Sequence, residues 1–165
     1  VSSLTRREGV GIPHLVIATI PAVIAGVLLH DWVDSVFRGE GVIVVTLVVG
    51  AILLVGADRL FPTRRGVDRT TWRDALVVGL MQCLALVPGM SRSGTTITGA
   101  RFVGLDRASA ARFSFLMSAP ITLGAIVYEL KKNGGALFEG QLPLSVLLVA
   151  FVSTFVAGML SIGFL

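Results

Sequence analysis

Charged residues are scarce in this sequence and unevenly distributed. Only 15% of the 165 residues are charged and 54% are hydrophobic, whereas an average soluble domain has about 25% charged residues. With a mean hydropathy of +0.86, the chain could not cover a soluble surface with polar groups. Four stretches, residues 42–57, 75–91, 113–128 and 140–165, contain no charge. Their lengths approach the roughly 20 apolar residues that cross a bilayer, so the sequence predicts an all-α integral membrane protein.

Cysteine and histidine are also nearly absent. The single cysteine, Cys83, excludes a disulfide within the chain, and its apolar surroundings predict a packing role. The two histidines, His14 and His30, fall near predicted membrane boundaries, which favours interfacial or packing roles over catalysis. All ten acidic residues lie at or outside the ends of the apolar segments. We therefore expect no metal site formed by this chain alone.

The basic excess indicates membrane orientation. The net charge is +4, and five arginines fall in residues 59–73, against only Arg38 in residues 31–40. By the positive-inside rule, residues 59–73 and the N-terminal arginines face the cytoplasm and residues 31–40 face outward. The arginine run could also bind anionic lipid or nucleic acid, but a solvated topology signal is the commoner case. We predict no nucleic-acid partner.

One part of the chain does not fit a simple crossing. The apolar residues 75–87 are too few to span a bilayer and end at Pro88 and Gly89, and arginines flank the segment on both sides. This pattern predicts a re-entrant helix–loop–helix hairpin within a polytopic bundle. We predict a single membrane domain over residues 1–165, with spans at about 12–30, 41–61, 108–130 and 142–165 and the hairpin at 72–104.

Small residues recur at four-residue spacing in two of the spans. Such stripes allow close helix–helix contact, and small hydroxyl groups within them are satisfied by neighbouring helices. A proline inside the first span, Pro21, is expected to kink the helix or to mark a point where a neighbour satisfies the backbone. The two stripes are Ala18, Ala22 and Gly26, and Ser114, Ser118 and Thr122.

The loop in the hairpin, residues 88–96 (PGMSRSGTT), predicts an anion site. An arginine at membrane depth costs at least about 2.5–3.5 kcal/mol, and Arg92 has no carboxylate nearby in the sequence. Its planar guanidinium suits phosphate oxygens, and four hydroxyl groups surround it. Gly89 and Gly94 would let backbone N–H groups converge, and a half-helix beginning at Gly94 would favour a negative ligand. Phosphate fits best.

The loop sequence allows two other interpretations. Ser, Gly and Thr are common in polar turns, but an ordinary turn does not explain the short apolar stretches on both sides. Gly89 and Gly94 also match the glycine spacing of a P-loop, which requires a lysine followed by Ser or Thr. Thr95 and Thr96 follow instead, and no strand precedes the loop, so this route to nucleotide binding is rejected.

Residues 82–96 (QCLALVPGMSRSGTT) resemble the second signature of the undecaprenyl pyrophosphate phosphatases, the bacitracin-resistance membrane family. Residues 20–23 with His30 and Asp31, and residues 113–116 with Pro120, resemble further parts of that family in the same order. The resemblance implies that Arg92 grips pyrophosphate and that Ser91 and Thr96 are polar site residues, so these three are the predicted catalytic residues. The predicted substrate-binding residues are Gly89, Ser93, Gly94, Thr95 and Gln82.

The resemblance also implies an activity and an architecture. The expected reaction is hydrolysis of undecaprenyl pyrophosphate to undecaprenyl phosphate and inorganic phosphate, which recycles the lipid carrier of cell-wall synthesis. The expected fold is an inverted repeat in the bacterial plasma membrane, of which this chain is half. A divalent cation, Mg²⁺ or Ca²⁺, is implied as cofactor.

The family's first signature, a glutamate-rich hairpin, is absent from these residues. We therefore expect a fragment whose N-terminal part would supply the metal ligands, and we expect the fragment alone to be inactive. Two alternatives stay open: a transporter or channel whose broken helix binds an anion near the bilayer midplane, and a non-catalytic anion-binding scaffold.

Overall fold

The structure, a computed structural model, describes residues 10–37, 39–61, 65–138 and 143–164. The N-terminal arginines, Arg38 and the side chains of His30 and Asp31 lie outside the described residues. The described residues form six α-helices and no β-strand, which confirms the all-α class. The helices are α1 (Ile12–Val36), α2 (Glu40–Leu60), α3 (Trp72–Cys83), α4 (Arg92–Phe102), α5 (Arg107–Phe138) and α6 (Leu144–Phe164).

Four of these helices are long and apolar enough to cross a membrane, by length and composition alone. Their apolar side chains are largely exposed: Val44 and Ile52 on α2 are 61% and 64% accessible, and Phe151 on α6 is 71% accessible. Exposed apolar faces of this extent belong in lipid rather than in water. The chain is a multi-pass membrane protein. The four segments are Ile12–Leu29, Glu40–Leu60, Arg107–Lys132 and Leu144–Ser161.

The chain divides into two compact units, Val1–Gly124 and Ala125–Leu165. The first unit contains α1 to α4 and the beginning of α5, and the second contains the rest of α5 and α6. All contacts discussed below lie within the first unit.

Helix α1 continues through Pro21 and ends at Val36, beyond the predicted boundary at residue 30. Ala18 is fully buried against α3, where a Cβ atom added to Gly79 would overlap the backbone oxygen of Ala18. Further along, Gly26 lies opposite Leu86. The two helices therefore run in the same direction, and small residues permit their close contact, as predicted for this stripe.

Helices α3 and α4 form a hairpin. With 12 and 11 residues, they are about 18 and 16 Å long, far short of the roughly 30 Å hydrocarbon core. Gly99 on α4 lies against Met81 and Val78 on α3. The two ends of the hairpin are adjacent, because the backbone N–H of Asp106 donates to the oxygen of Arg65 at 3.0 Å. Its placement within a membrane stays a prediction.

A buried arginine joins three elements at the open end of this hairpin. Arg101 is only 4% accessible, donates to the backbone oxygens of Leu105 at 2.7 Å and Phe61 at 2.8 Å, and lies 3.4 Å from a carboxylate oxygen of Asp58. Arg107 donates to both oxygens of the same carboxylate at 2.7 and 2.5 Å. In the sequence Arg101 looks like one of the flanking charges of the hairpin, but in the structure it fastens the end of α4 to α2.

Candidate functional site

The turn between α3 and α4 lies directly on α2. Gly89 has a φ of +91°, a conformation that L side chains rarely adopt. A Cβ atom at this position would also overlap the side-chain oxygen of Thr46 and the backbone oxygen of Ile43. The Thr46 hydroxyl donates to the oxygen of Pro88 at 2.6 Å. Glycine is therefore required at position 89 by its backbone angle and by the proximity of α2.

Helix α4 begins at Arg92, two residues earlier than the predicted start at Gly94. Ser91 is the N-cap residue: its hydroxyl accepts the backbone N–H of Gly94 at 3.2 Å, and its backbone oxygen accepts that of Thr95 at 2.9 Å. Gly94 therefore continues the helix and forms no separate bend of its own. Gly94 is helical, and a Cβ atom there would lie 3.1 Å from the Cβ of Ser91.

The first turn of α4 presents hydrogen-bond donors at the loop. Arg92 and Ser93 are the first two helical residues, and their backbone N–H groups have no acceptor within the helix. The hydroxyls of Ser91 and Ser93 are exposed and lie 3.2 Å apart. The helix dipole adds partial positive charge at the same end. These features would favour an anion at this end of α4, and anion binding by the loop stays a prediction.

Arg92 is exposed at this helix end. Its Nη1 donates to the hydroxyl of Thr122 on α5 at 3.2 Å. Within the described part of the chain, no ion pair involves Arg92. The side chain thus carries a positive charge with several donors still available for a negative ligand.

The threonines that follow are turned away from this exposed end. Thr96 is 1% accessible, and its hydroxyl lies 2.5 Å from that of Ser114 on α5 and within hydrogen-bonding distance of the backbone oxygen of Arg92. Thr95 is also buried, and its hydroxyl donates to the same backbone oxygen at 2.9 Å. The structure therefore does not place the hydroxyls of Thr95 and Thr96 beside the Arg92 guanidinium.

Gln82 lies near the end of α3 and is 3% accessible. Its side-chain nitrogen has no hydrogen-bond partner among the described residues, and it does not line the cavity beside the loop. Cys83, the next residue, is partly buried, and its thiol points to the backbone oxygen of Gly79 at 3.5 Å. The packing role predicted for the cysteine fits this position.

A cavity of about 300 Å³ opens between α2, α4 and the loop. Its lining is mainly apolar, with side chains from α2, α3, α4 and the loop. Small polar residues at the start of α4 complete the lining. The lining residues are Leu47, Gly50, Ala51, Leu53, Leu54, Met81, Gly89, Met90, Ser91, Ser93, Gly94, Thr95, Ile97 and Thr98. A ligand with a polar group joined to a hydrocarbon would match this mixed lining.

Three residues that contact the site were not predicted as part of it: Thr46, Ser114 and Thr122. In the sequence, Ser114 and Thr122 stand out only as members of a small-residue stripe on α5. Thr46 is not singled out by any sequence pattern considered above. A lone threonine in an otherwise apolar span is a usable signal, because its hydroxyl needs an acceptor in lipid. The sequence does not say which acceptor it finds.

The fold and the loop define an all-α membrane protein with a helical hairpin whose turn exposes Arg92 and small hydroxyl groups. The family described as "Bacitracin resistance protein BacA" matches residues 3–165, and the chain belongs to that family. A curated relative, "Undecaprenyl-diphosphatase" of Idiomarina loihiensis, is 47% identical over 132 residues, which cover 78% of this chain and 50% of the relative. The chain thus spans about half the length of the curated relative that it matches. The family assignment favours the phosphatase hypothesis over a transporter or channel.

Proposed function

We propose that the protein of which this chain is part or whole hydrolyses undecaprenyl pyrophosphate. The bond between the bridging oxygen and the terminal phosphorus breaks, water supplies the new oxygen, and the products are undecaprenyl phosphate and inorganic phosphate. The observation that carries the proposal is Arg92, an exposed arginine at the start of a capped helix, without a carboxylate partner among the described residues. Family membership and the relative's name support the same reaction.

The donor set at this helix end suits a pyrophosphate. Arg92 can hold two oxygens of one phosphate through its planar fork. The backbone N–H groups of Arg92 and Ser93 face the same helix end. Negative charge that develops on the transferred phosphoryl group and on the leaving phosphate would be stabilised here. Phosphoryl transfer depends mainly on positioning and electrostatic stabilisation, which these groups supply.

The predicted polar residues divide into two roles. Ser91 and Ser93 present exposed hydroxyls that can donate to phosphate oxygens, while the oxygen of Ser91 also caps the helix. Thr95 and Thr96 support the first turn of α4 from inside the protein. Gly89 fixes the turn against α2. The mainly apolar lining of the neighbouring cavity suits the hydrocarbon next to the pyrophosphate.

The divalent cation implied by the resemblance is not matched by this donor set. The positive charge of arginine repels a cation, and backbone N–H groups cannot ligate one. Mg²⁺ and Ca²⁺ require oxygen ligands, chiefly carboxylates. The residues lining the cavity include no acidic side chain, and no group of three or more His, Cys, Asp or Glu lies together in the described part of the chain. We propose that any cation is held by carboxylates outside these described residues.

The substrate and the helices imply a setting. We propose that the protein lies in the bacterial plasma membrane, binds its polyprenyl pyrophosphate substrate there, and has no nucleic-acid partner. The multi-pass character supports the membrane partner.

Arg92 provides the test. In protein expressed from its complete reading frame, Arg92→Ala should lower kcat/KM for phosphate release from undecaprenyl pyrophosphate by about 100- to 1,000-fold, the scale of losing one charge-stabilising donor. Arg92→Lys keeps the charge but loses the planar fork and should also lose most activity. Arg112, an exposed arginine on α5, is the matched control, and Arg112→Ala should be nearly neutral. A folded Arg92→Ala protein with normal turnover would refute the proposal.

A further inference from the structure

Arg92 has one side-chain contact that neither the motif nor the proposed reaction explains. Its Nη1 donates to the hydroxyl oxygen of Thr122 at 3.2 Å, across 30 residues of sequence. Thr122 is exposed on α5. An exposed arginine would ordinarily sample many rotamers, and one hydrogen bond to a rigid helix restricts them.

A second bond between the same two helices fixes the geometry. The hydroxyls of Thr96 and Ser114 lie 2.5 Å apart and are buried. Residues 92 and 96 are separated by about 6 Å along α4, and residues 114 and 122 by about 12 Å along α5. The difference between these two separations, about 6 Å, is close to the reach of an extended arginine side chain. In a helix such a side chain points toward the N-terminus. Arg92 thus extends past the start of α4 and meets α5 there.

We propose that Thr122 is a positioning residue for Arg92. The inference rests on the proposed function, because it assigns Thr122 the task of aiming the guanidinium that grips pyrophosphate. The threonine oxygen accepts one Nη1 hydrogen. The Nε and Nη2 hydrogens form the edge that is left for two oxygens of one phosphate.

The physical reason is pre-organisation. A guanidinium already held in its binding orientation loses less conformational freedom when the ligand arrives. Threonine suits this task because its hydroxyl accepts a hydrogen bond and leaves the positive charge of Arg92 intact. A carboxylate in its place would neutralise that charge. Thr122 acts only through Arg92 and touches no phosphate in this scheme.

The test uses Thr122→Val, which keeps the shape and removes the acceptor, and Thr122→Ser, which keeps the acceptor. In protein from the complete reading frame, Thr122→Val should lower kcat/KM for undecaprenyl pyrophosphate about tenfold, the order set by one hydrogen bond to a charged group. Thr122→Ser should restore most of it. Ser118→Ala is the control, because among the described residues the Ser118 hydroxyl donates to the backbone oxygen of Phe115 in its own helix, and it should leave turnover unchanged.

A double-mutant cycle separates positioning from a structural role. If Thr122 acts through the guanidinium, Thr122→Val should cause little further loss in an Arg92→Lys background. A second measurement needs no turnover: the rise in unfolding temperature that inorganic pyrophosphate produces. This rise should be smaller for Thr122→Val than for wild type or Thr122→Ser. In the Arg92→Lys background, adding Thr122→Val should leave the rise unchanged. Equal losses in both backgrounds, or no loss in Thr122→Val, would overturn the positioning role and leave the proposed function intact. A wild-type protein that neither binds pyrophosphate nor releases phosphate would overturn both.

Discussion

Replacing Gly89 tests whether the loop geometry at α2 creates the site. In Gly89→Ala, a φ of +91° would become strained by about 1–2 kcal/mol. The new Cβ would overlap the Thr46 hydroxyl and the backbone oxygen of Ile43. Relief requires the turn to move away and break the 2.6 Å bond from Thr46 to Pro88, which costs about 1–3 kcal/mol if the oxygen finds no new donor. The combined penalty of about 2–5 kcal/mol is enough to displace the loop.

The expected result is a large loss of phosphate release with a lowered unfolding temperature. The assay is turnover of undecaprenyl pyrophosphate together with thermal unfolding in detergent, on the protein from its complete reading frame. Gly56→Ala is the matched control, because Gly56 lies inside α2 with no atom near the added Cβ, and alanine favours a helix by about 1 kcal/mol. Normal turnover and stability in Gly89→Ala would show that the turn does not depend on its contact with α2.

Two further predictions concern the charged residues at the other end of the hairpin. Arg101→Met should destabilise the protein by about 3–5 kcal/mol, because it leaves buried oxygens without their donor. Arg107→Ala, at a side chain 79% accessible, should change stability much less, because solvent screens an exposed ion pair. The unfolding temperatures of the two variants compare these effects. Asp106 accepts hydrogen bonds from the backbone N–H of Ser109, at 2.7 Å, and from its hydroxyl, so the pKa of Asp106 lies below its ordinary 3.8. Its stabilising contribution is therefore present above about pH 4 and lost as the pH falls through the lowered pKa, and the acid limb of the unfolding temperature should flatten in Asp106→Ala.

The hairpin and its arginine were predictable because composition alone marks them. Two apolar stretches too short to cross a bilayer meet at a Pro-Gly pair, and Arg92 lies between them without a nearby acid. Bilayer thickness and the energetic cost of a lone charge are general constraints. They need no knowledge of which helices become neighbours.

Contacts between distant residues could not be predicted in this way. Thr46 meets Pro88 across 42 residues, and Arg92 meets Thr122 across 30. Arg101 looks like any flanking arginine until the end of α2 supplies its acceptors. These partners depend on the rotational phase and crossing of whole helices, which a single sequence does not reveal.

The hydroxyls of Thr95 and Thr96 illustrate a different difficulty. The motif assigns them to the site, but both donate to the backbone oxygen of Arg92 one turn earlier. Threonine hydroxyls in a helix commonly form this bond. Once the helix is known to begin at Arg92 rather than Gly94, their inward direction follows from local rules. The helix boundary therefore decides which way these hydroxyls point, and a role for them at the site stays a prediction.

The topology of the hairpin can be tested by the accessibility of introduced cysteines. The bond between Asp106 and Arg65 places the two ends of the hairpin side by side, so both should face the same aqueous compartment if the hairpin re-enters. In a Cys83→Ala background, Asp68→Cys and Ala108→Cys, both at exposed positions, should react with a membrane-impermeant maleimide from the cytoplasmic side only. Gly39→Cys, at the other end of the membrane-length helix α2, should react only from the outside. Labelling of the first two positions from opposite sides would mean that residues 72–104 cross the membrane, and the shared compartment required by the hairpin would be wrong.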